Sequence, residues 1–398
     1  MNLLPIIGRR NRLLIEDMVK YGETLDNIVS KSKFLVIGGA GSIGQEVVKQ
    51  IFKRNPLLLH VVDVSENNLA EIVRDVRSSH GYTDGETDFF TLDFTTKEFD
   101  VFWQSKADYD YVLNLSALKH VRSDQFVFTL MRMINVNVIG TDNSMRMSQE
   151  HGVKKYFAVS SDKAKNPANL MGATKCIMED VLFTNPYDAT CSTARFANVA
   201  FSDGSLLHGF RQRLLKMQPL SAPADISRYF IIPEEAGELC LMSTIFGEHK
   251  DIFFPKEKNQ ELKLTNFPDI ARRFLNSMGY EAYEVDTEEE ARKRVQELSI
   301  QKKWPCYFFN SDTSGEKPFE EFFADDDIVD WDRFGDMGIV KWQEADDNGF
   351  DRAQNFLNQY KNLRNSDMWH RDEVVEMIKA ACPTLSYVDT GKFLSGRM

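Results

Sequence analysis

Cationic blocks are missing from this chain, and their absence narrows what it can bind. Against 60 Asp and Glu stand 48 Lys and Arg, a formal net charge of −12. A phosphate backbone would be repelled over most of such a surface, which argues against nucleic acid as a partner. Cysteine is scarce. The five thiols (Cys176, Cys191, Cys240, Cys306 and Cys382) are odd in number and form no CxxC pair, so neither a disulfide framework nor a zinc site is indicated, and free thiols in a reducing compartment are expected. No apolar run approaches the length of a membrane span, and Arg9, Arg10, Arg12, Glu16 and Asp17 interrupt the apolar N-terminus. The expectation is a cytoplasmic protein with no transmembrane segment. Repeats and low-complexity tracts are also absent. What remains is 398 residues, 42% hydrophobic and 27% charged, enough to bury a core for one large domain or two smaller ones.

Residues 1–30 read as an N-terminal helical arm, with Leu13, Leu14, Ile15 and Met18 followed by Leu25 and Ile28 on amphipathic spacing. From Lys33 onward, apolar runs alternate with helical patterns: FLVIGG, QEVVKQIF, LLLHVVDV, NNLAEIVRDV, DFFTLDF, YVLNLSAL, INVNVIGTDNSMRM, KKYFAVSS and MGATKCIMEDVLF. Strands that are apolar on both faces, separated by helices long enough to cross over, predict an α/β fold: a Rossmann-like, doubly wound parallel sheet over residues 31–200. Residues 201–322, loosened by Gly204, Pro219 and Pro223, are assigned to a smaller substrate-binding region interleaved with the last sheet elements. Within it a charged helix is expected to start near Asp286 or Thr287, where Thr287 and Glu290 have capping-box spacing, and is read as a solvated insertion. Residues 323–398 read as an acidic C-terminal extension, ADDDIVDWD followed by a final helix in DEVVEMIKAAC.

FLVIGGAGSIGQEVV places Gly39, Gly41 and Gly44 in GxGxxG register, and Gly38, Gly41 and Gly44 in GxxGxxG register, after a strand and before a helix. Glycine lets the backbone turn sharply and approach a pyrophosphate, which then sits on the helix N-terminus, where free N–H groups and the helix dipole favour an anion. Ser42 and Ile43 lie within the same loop. Asp63 ends the next strand nineteen positions after Gly44, where a carboxylate can accept hydrogen bonds from an adenosine ribose and repel a 2′-phosphate. This order of strand, loop, helix and acid points to a dinucleotide, NAD rather than NADP.

The segment SSDKAKNPANLMGATK, Ser160 to Lys175, packs a carboxylate, ammonium groups and an Asn-Pro turn into sixteen positions. If KKYFAVSS is a sheet strand, Ser161, Asp162 and Lys163 emerge at the edge where open α/β sheets bind ligands. Met171 and Lys175, four apart on the following helix, share a face, from which the lysine can reach a nicotinamide ribose. An isolated Asp-Lys pair is ordinarily solvated and a lone helix methionine is ordinarily core. The position downstream of a dinucleotide loop favours chemistry.

This segment resembles the STDKAxNPTNxMGATK motif of bacterial nucleotide-sugar 4,6-dehydratases of the extended short-chain dehydrogenase/reductase superfamily, most closely the group acting on UDP-N-acetylglucosamine. Further similarities run in order through IGGAGSIG, SALKHV, NVIGT, RFANV, SRYFIIPEEA and SGEKPFEEF, spanning roughly residues 7–322. The resemblance implies that bound NAD takes hydride from sugar C4, that water leaves across C5 and C6, and that hydride returns to C6. It implies Asp162 and Lys163 as the proton-transfer pair, with Ser161 assisting and Lys175 on the ribose. Most of the superfamily uses the tyrosine of a YxxxK pair as base. Met171 stands there in this chain, a thioether cannot carry the proton, and within the family methionine at this place goes with retention of C5 configuration.

The cofactor contacts assigned alongside the glycine loop and Asp63 are Asp93, Phe94, Leu115, Ser116, Lys119, Lys175 and Val199; Lys119, Asn198, Ser205, Arg228 and Glu316 are assigned to substrate. No metal is expected. The family's arginines in RPGEK and SRGS are replaced by Thr313 and Asp203, so either Arg211, Arg213 or Arg228 meets the substrate diphosphate or the nucleotide part of the substrate is held differently. Relatives are generally oligomers, so a homo-oligomer is expected. A 4-epimerase and a non-catalytic NAD-binding regulator are the alternative readings.

Overall fold

Apolar runs of five or six residues do become strands. The computed structural model describes residues 1–106, 108–184, 189–257, 261–312, 315, 317–344 and 348–389. Strands β1 (Lys33–Ile37), β2 (Leu58–Asp63), β3 (Glu86–Thr91), β4 (Tyr111–Asn114), β5 (Lys155–Val159) and β6 (Thr190–Ala194) pair in parallel in the spatial order β3-β2-β1-β4-β5-β6. Strand β4 is buried at every position, whereas the outermost strand, β3, alternates with exposed residues. Only interior strands covered on both faces need unbroken apolar sequence. Helices α1 (Ile15–Val29), α2 (Ser42–Phe52), α3 (Glu66–His80), α4 (Lys97–Lys106), α5 (Val127–Ile134), α6 (Gly140–Glu150) and α7 (Leu170–Thr184) precede and link these strands. The order reverses between β1 and β4, which opens a crevice at the carboxyl ends of those two strands.

The sheet continues beyond β6 with Asp251–Pro255, parallel to β6, then Met337–Lys341 antiparallel to it, and Val329–Asp330 at the edge. These last two strands lie inside the segment read as an acidic extension, which therefore completes the sheet before it leaves it. The sequence hides them because one is two residues long and the other, MGIVK, is too short to show a period. Helices Gly349–Arg364 and Arg371–Ala381 then pack against α7.

A second core gathers Ile6, Ile7, Phe210, Phe274, Trp304 and Cys306 around three parallel strands, Glu281–Val285, Lys303–Phe309 and Leu220–Pro223. The helix Glu288–Ile300 begins at the expected cap, with the Thr287 hydroxyl accepting from the Glu290 amide at 3.1 Å. It is not a solvated insertion. It buries Ala291, Val295 and Leu298 as the crossover of a β-α-β unit, and only its outer face carries the charge that dominates the sequence. The N-terminal segment is fastened by a buried ion pair: Arg9 donates to both oxygens of Glu235 at 2.6 and 2.7 Å, and Glu235 also accepts from the Leu13 amide at 2.6 Å.

Candidate active site

The glycine loop follows β1 directly. Gly38 has φ 75°, and a Cβ there would stand 2.6 Å from the Ser116 amide nitrogen. A Cβ on Gly44 would meet the Gly38 carbonyl oxygen at 2.1 Å. A side chain at Gly38 would push apart the β1 and β4 ends, and one at Gly44 would push α2 off the loop that follows β1. The amides of Gly38 and Gly39 donate to the Val62 carbonyl at 2.7 and 3.2 Å, and Asp63 Oδ2 accepts from the Ala40 amide at 3.0 Å while Oδ1 accepts from Ser65 at 2.9 Å. Asp63 thus shapes the loop and keeps lone pairs on both oxygens. Gly41 caps α2 and no side chain bonds its first turn, so the helix N-terminus is available to an anion. A glycine cradle, an uncapped helix start and a carboxylate at the end of β2 fit a dinucleotide.

The remaining cofactor candidates line the same edge of the sheet. Asp93 accepts from the Thr95 amide and hydroxyl at 2.9 and 2.7 Å and from Arg132 at 2.5 Å. Phe94 is buried, with Gly140 so close that a Cβ there would lie 2.5 Å from the ring. Leu115 donates its amide to the Ile37 carbonyl at 2.8 Å, and the Ser116 amide bonds Asn114 Oδ1 at 3.2 Å. Between α5 and α6 the helix widens into one π turn over Asn135–Ile139. Its buried Asn137 accepts from the Leu118 amide at 2.9 Å, and donates to the Leu118 carbonyl and the Thr174 hydroxyl, both at 3.0 Å. That one amide ties the loop before Lys119 to α7, and π turns recur at functional sites for such re-aiming.

Ser161, Asp162 and Lys163 form a turn at the end of β5. Ser161 Oγ accepts from the Lys163 amide at 3.2 Å and donates to Asp162 Oδ1 at 2.9 Å; the same oxygen receives the Lys163 ammonium at 2.9 Å. Asp162 is 2% exposed and Lys163 is part-buried, its side chain 18% exposed. Gly172 lets α7 approach this turn: a Cβ there would be 2.4 Å from the Lys163 carbonyl oxygen. Met171 and Lys175 are both buried on α7. Lys175 Nζ donates to the Val159 carbonyl at 2.8 Å, and burial pushes its ammonium down to about 7, with Glu179 partly opposing. Beneath the turn, Ser160 Oγ donates to Glu179 at 2.6 Å, and Arg195 clasps the same carboxylate at 2.6 and 3.0 Å.

On the substrate side, Lys119 Nζ bonds Ser202 Oγ at 3.3 Å. Its side chain reaches water, yet the surrounding walls desolvate the ammonium and lower its pKa, with Asp203 opposing. The 202–205 loop is pinned over the cofactor loop by the Asp203 amide on Ser42 Oγ at 2.8 Å. Asn198 Nδ2 is buried without a partner among the described residues, beside the half-buried Val199. Ser205 caps a helix, its hydroxyl accepting from the His208 amide at 3.1 Å. Arg228 turns one nitrogen, Nη1, to the carbonyls of Ser227, Lys317 and Pro318 at 2.9, 3.0 and 3.1 Å, while its Nη2 lies 3.8 Å from Glu320. Arg213 leans on the Ser221 carbonyl at 3.5 Å, and Arg211 is exposed. Glu316 and Thr313 lie outside the described residues. Sequence reading missed two buried carboxylates, Glu179 and Glu320. Glu179 carried a signal, being four residues after Lys175 on the same helix face.

Fold and loop define a Rossmann-type α/β protein. The polysaccharide biosynthesis protein family model matches residues 34–341, and the chain belongs to that family. It is similar to the uncharacterized membrane protein MJ1061 of Methanocaldococcus jannaschii, 28% identical over 80% of this chain and 88% of that protein. The capsular polysaccharide biosynthesis protein CapD of Staphylococcus aureus is 25% identical over 75% of this chain and 46% of its own length, so the chain spans less than half of that relative. The inverting UDP-N-acetylglucosamine 4,6-dehydratase of Campylobacter jejuni is 28% identical over 61% of this chain and 72% of that enzyme. UDP-glucose 4-epimerase of Rickettsia bellii matches 56% of this chain and 65% of its own, also at 28%. Among solved structures, Pen from Bacillus thuringiensis shares the fold with TM-score 0.63 and 20% identity, over 83% of this chain and 98% of its own. The DesIV dTDP-glucose 4,6-dehydratase of Streptomyces venezuelae, solved with NAD, does so with TM-score 0.55 and 16% identity, over 73% and 88%. No described helix is long and apolar enough to cross a membrane.

Proposed function

We propose that this protein is an NAD-dependent 4,6-dehydratase of a nucleotide-diphospho-N-acetylhexosamine, with UDP-N-acetylglucosamine as best substrate, serving surface polysaccharide synthesis. The observation that carries the reading is the Asp162–Lys163 pair at the end of β5, joined to a helix that presents Met171 where an epimerase would need a tyrosine. NAD, when bound, would supply the hydride acceptor for C4 of the sugar and the hydride donor for C6. The glycine loop and the start of α2 hold the pyrophosphate, Asp63 holds the adenosine ribose and disfavours a 2′-phosphate, and Lys175 holds the nicotinamide ribose. Lys163 moves the proton at O4 or C5. Asp162 gives a proton to the departing C6 hydroxyl, which leaves as water, and Ser161 orients that carboxyl. Lys119 and Asn198 face the sugar diphosphate, and Met171 favours retention at C5. A homo-oligomer belongs to the same proposal.

The test is incubation with UDP-N-acetylglucosamine and related sugars, followed by mass spectrometry. Loss of one water supports the dehydratase. A product of unchanged mass would replace it with the epimerase, and no conversion with NAD still bound would leave a regulatory protein. Lys163→Met should abolish turnover while cofactor binding persists; an active variant removes that lysine from the mechanism.

A further inference from the structure

The loop that follows the second sheet delivers one more carboxyl to the Asp162–Lys163 pair. Glu320 is 5% exposed, whereas its neighbour Glu321 points to solvent. Its Oε1 lies 3.9 Å from Lys163 Nζ and 3.8 Å from an Arg228 nitrogen, and its Oε2 lies 4.0 Å from Lys317 Nζ. Lys163 is therefore held between two buried acids, Asp162 at 2.9 Å and Glu320. The arrangement is braced. Arg195, whose partner Glu179 anchors Ser160, also donates to the Phe322 carbonyl at 2.7 Å, so the backbone carrying Glu320 and the backbone carrying Asp162 hang on one guanidinium.

We infer that Glu320 is a positioning residue that holds the Lys163 ammonium in place and balances its charge as protons move through the site. The inference rests on the dehydratase reading. Each turnover requires Lys163 to exchange a proton while Asp162 passes between acid and carboxylate. In a buried cluster such changes are costly unless an opposite charge lies within about 4–6 Å. The charged groups facing Glu320 are Lys163, Asp162, Arg228 and Lys317. Arg228 is held by three carbonyls and stays charged, and Lys317 takes no part in the proposed proton transfers, which leaves Lys163 as the facing cation whose protonation changes in the reaction. Burial raises the Glu320 carboxyl above its ordinary range, with Lys163 foremost among the groups opposing the rise.

The experiment compares wild type, Glu320→Gln, Glu320→Asp and, as a solvated control, Glu321→Gln. Two readouts are taken: the pH profile of kcat with UDP-N-acetylglucosamine, and the pH dependence of Lys163 acylation by an amine-reactive ester, mapped by peptide mass spectrometry. Removing the negative charge should move the limb of the profile and the midpoint of Lys163 labelling to lower pH by about one unit. kcat should fall about tenfold or more with little change in KM, the aspartate variant should recover part of both, and Glu321→Gln should match wild type. Dehydration by the wild type with an unmoved profile and midpoint in Glu320→Gln overturns the inference. If no sugar is dehydrated but the labelling midpoint moves, the dehydratase reading fails and the coupling of Glu320 to Lys163 stands. Should Glu320→Gln fail to fold, Glu320→Ala, which also removes the charge, carries the same test, and a wild-type midpoint there overturns the inference.

Discussion

Lys175 should destabilise the protein it serves. Its ammonium is buried beside Val159, and desolvation takes it from 10.5 to about 7. Between about pH 7 and 10.5 the unfolded chain binds a proton there that the folded chain releases, so wild-type stability rises with pH across that window. From those two values the burial costs about 5 kcal/mol below pH 6, about 4 kcal/mol at pH 7 and about 2 kcal/mol at pH 9. Lys175→Met removes this cost but leaves the Val159 carbonyl without its donor, a loss of about 1–3 kcal/mol. The net expectation at pH 7 is a gain of about 1–3 kcal/mol. With an unfolding entropy near 2.1 cal/mol/K per residue, a chain of 398 residues would gain about 1–4 °C in Tm. Urea unfolding of nucleotide-free wild type and variant at pH 6, 7 and 9 measures it, with the advantage fading toward pH 9. A variant less stable than wild type at pH 6, or a difference unchanged between pH 6 and 9, refutes the reasoning. Turnover should be lost throughout on the proposed ribose-holding role of Lys175, which would set function against stability at this position.

Asn198→Ala deletes the unpartnered Nδ2; KM for the nucleotide sugar should rise about tenfold, the worth of roughly one hydrogen bond to a charged group, with the urea midpoint unchanged or slightly raised. An unaltered KM removes Asn198 from the substrate site. Gly172→Ala puts a methyl 2.4 Å from the Lys163 carbonyl oxygen. The displaced turn should cost about 10² in kcat with far-UV dichroism preserved, and wild-type kcat would show that the approach of α7 does not set the Lys163 position.

Much of the molecule was legible where structure is locally encoded. Gly38 and Gly44 announce backbone that no side chain tolerates, and Asp63 falls at a strand end because LHVVDV closes an apolar run. Thr287 and Glu290 mark a helix start correctly, yet the helix they open was misjudged, since three buried residues among charges make a weak stripe and their burial depends on Glu281–Val285 and Lys303–Phe309 pairing alongside. The strands beyond residue 322 were hidden by their length, one of two residues and the other too short to show a period.

The division follows from range. Residue order alone determined the β-α alternation, the phosphate-binding turn and the adjacency of Ser161, Asp162 and Lys163, because backbone sterics, side-chain periodicity and helix capping act over a few positions. Only the folded chain decided which charges are spent and which are free. Arg228 is occupied by carbonyls from residues 317 and 318, Arg9 by Glu235, Arg195 by Glu179, and Lys163 acquires Glu320. Desolvation makes such pairings obligatory once the groups are buried, but spacing along the chain does not reveal which distant partner each will meet.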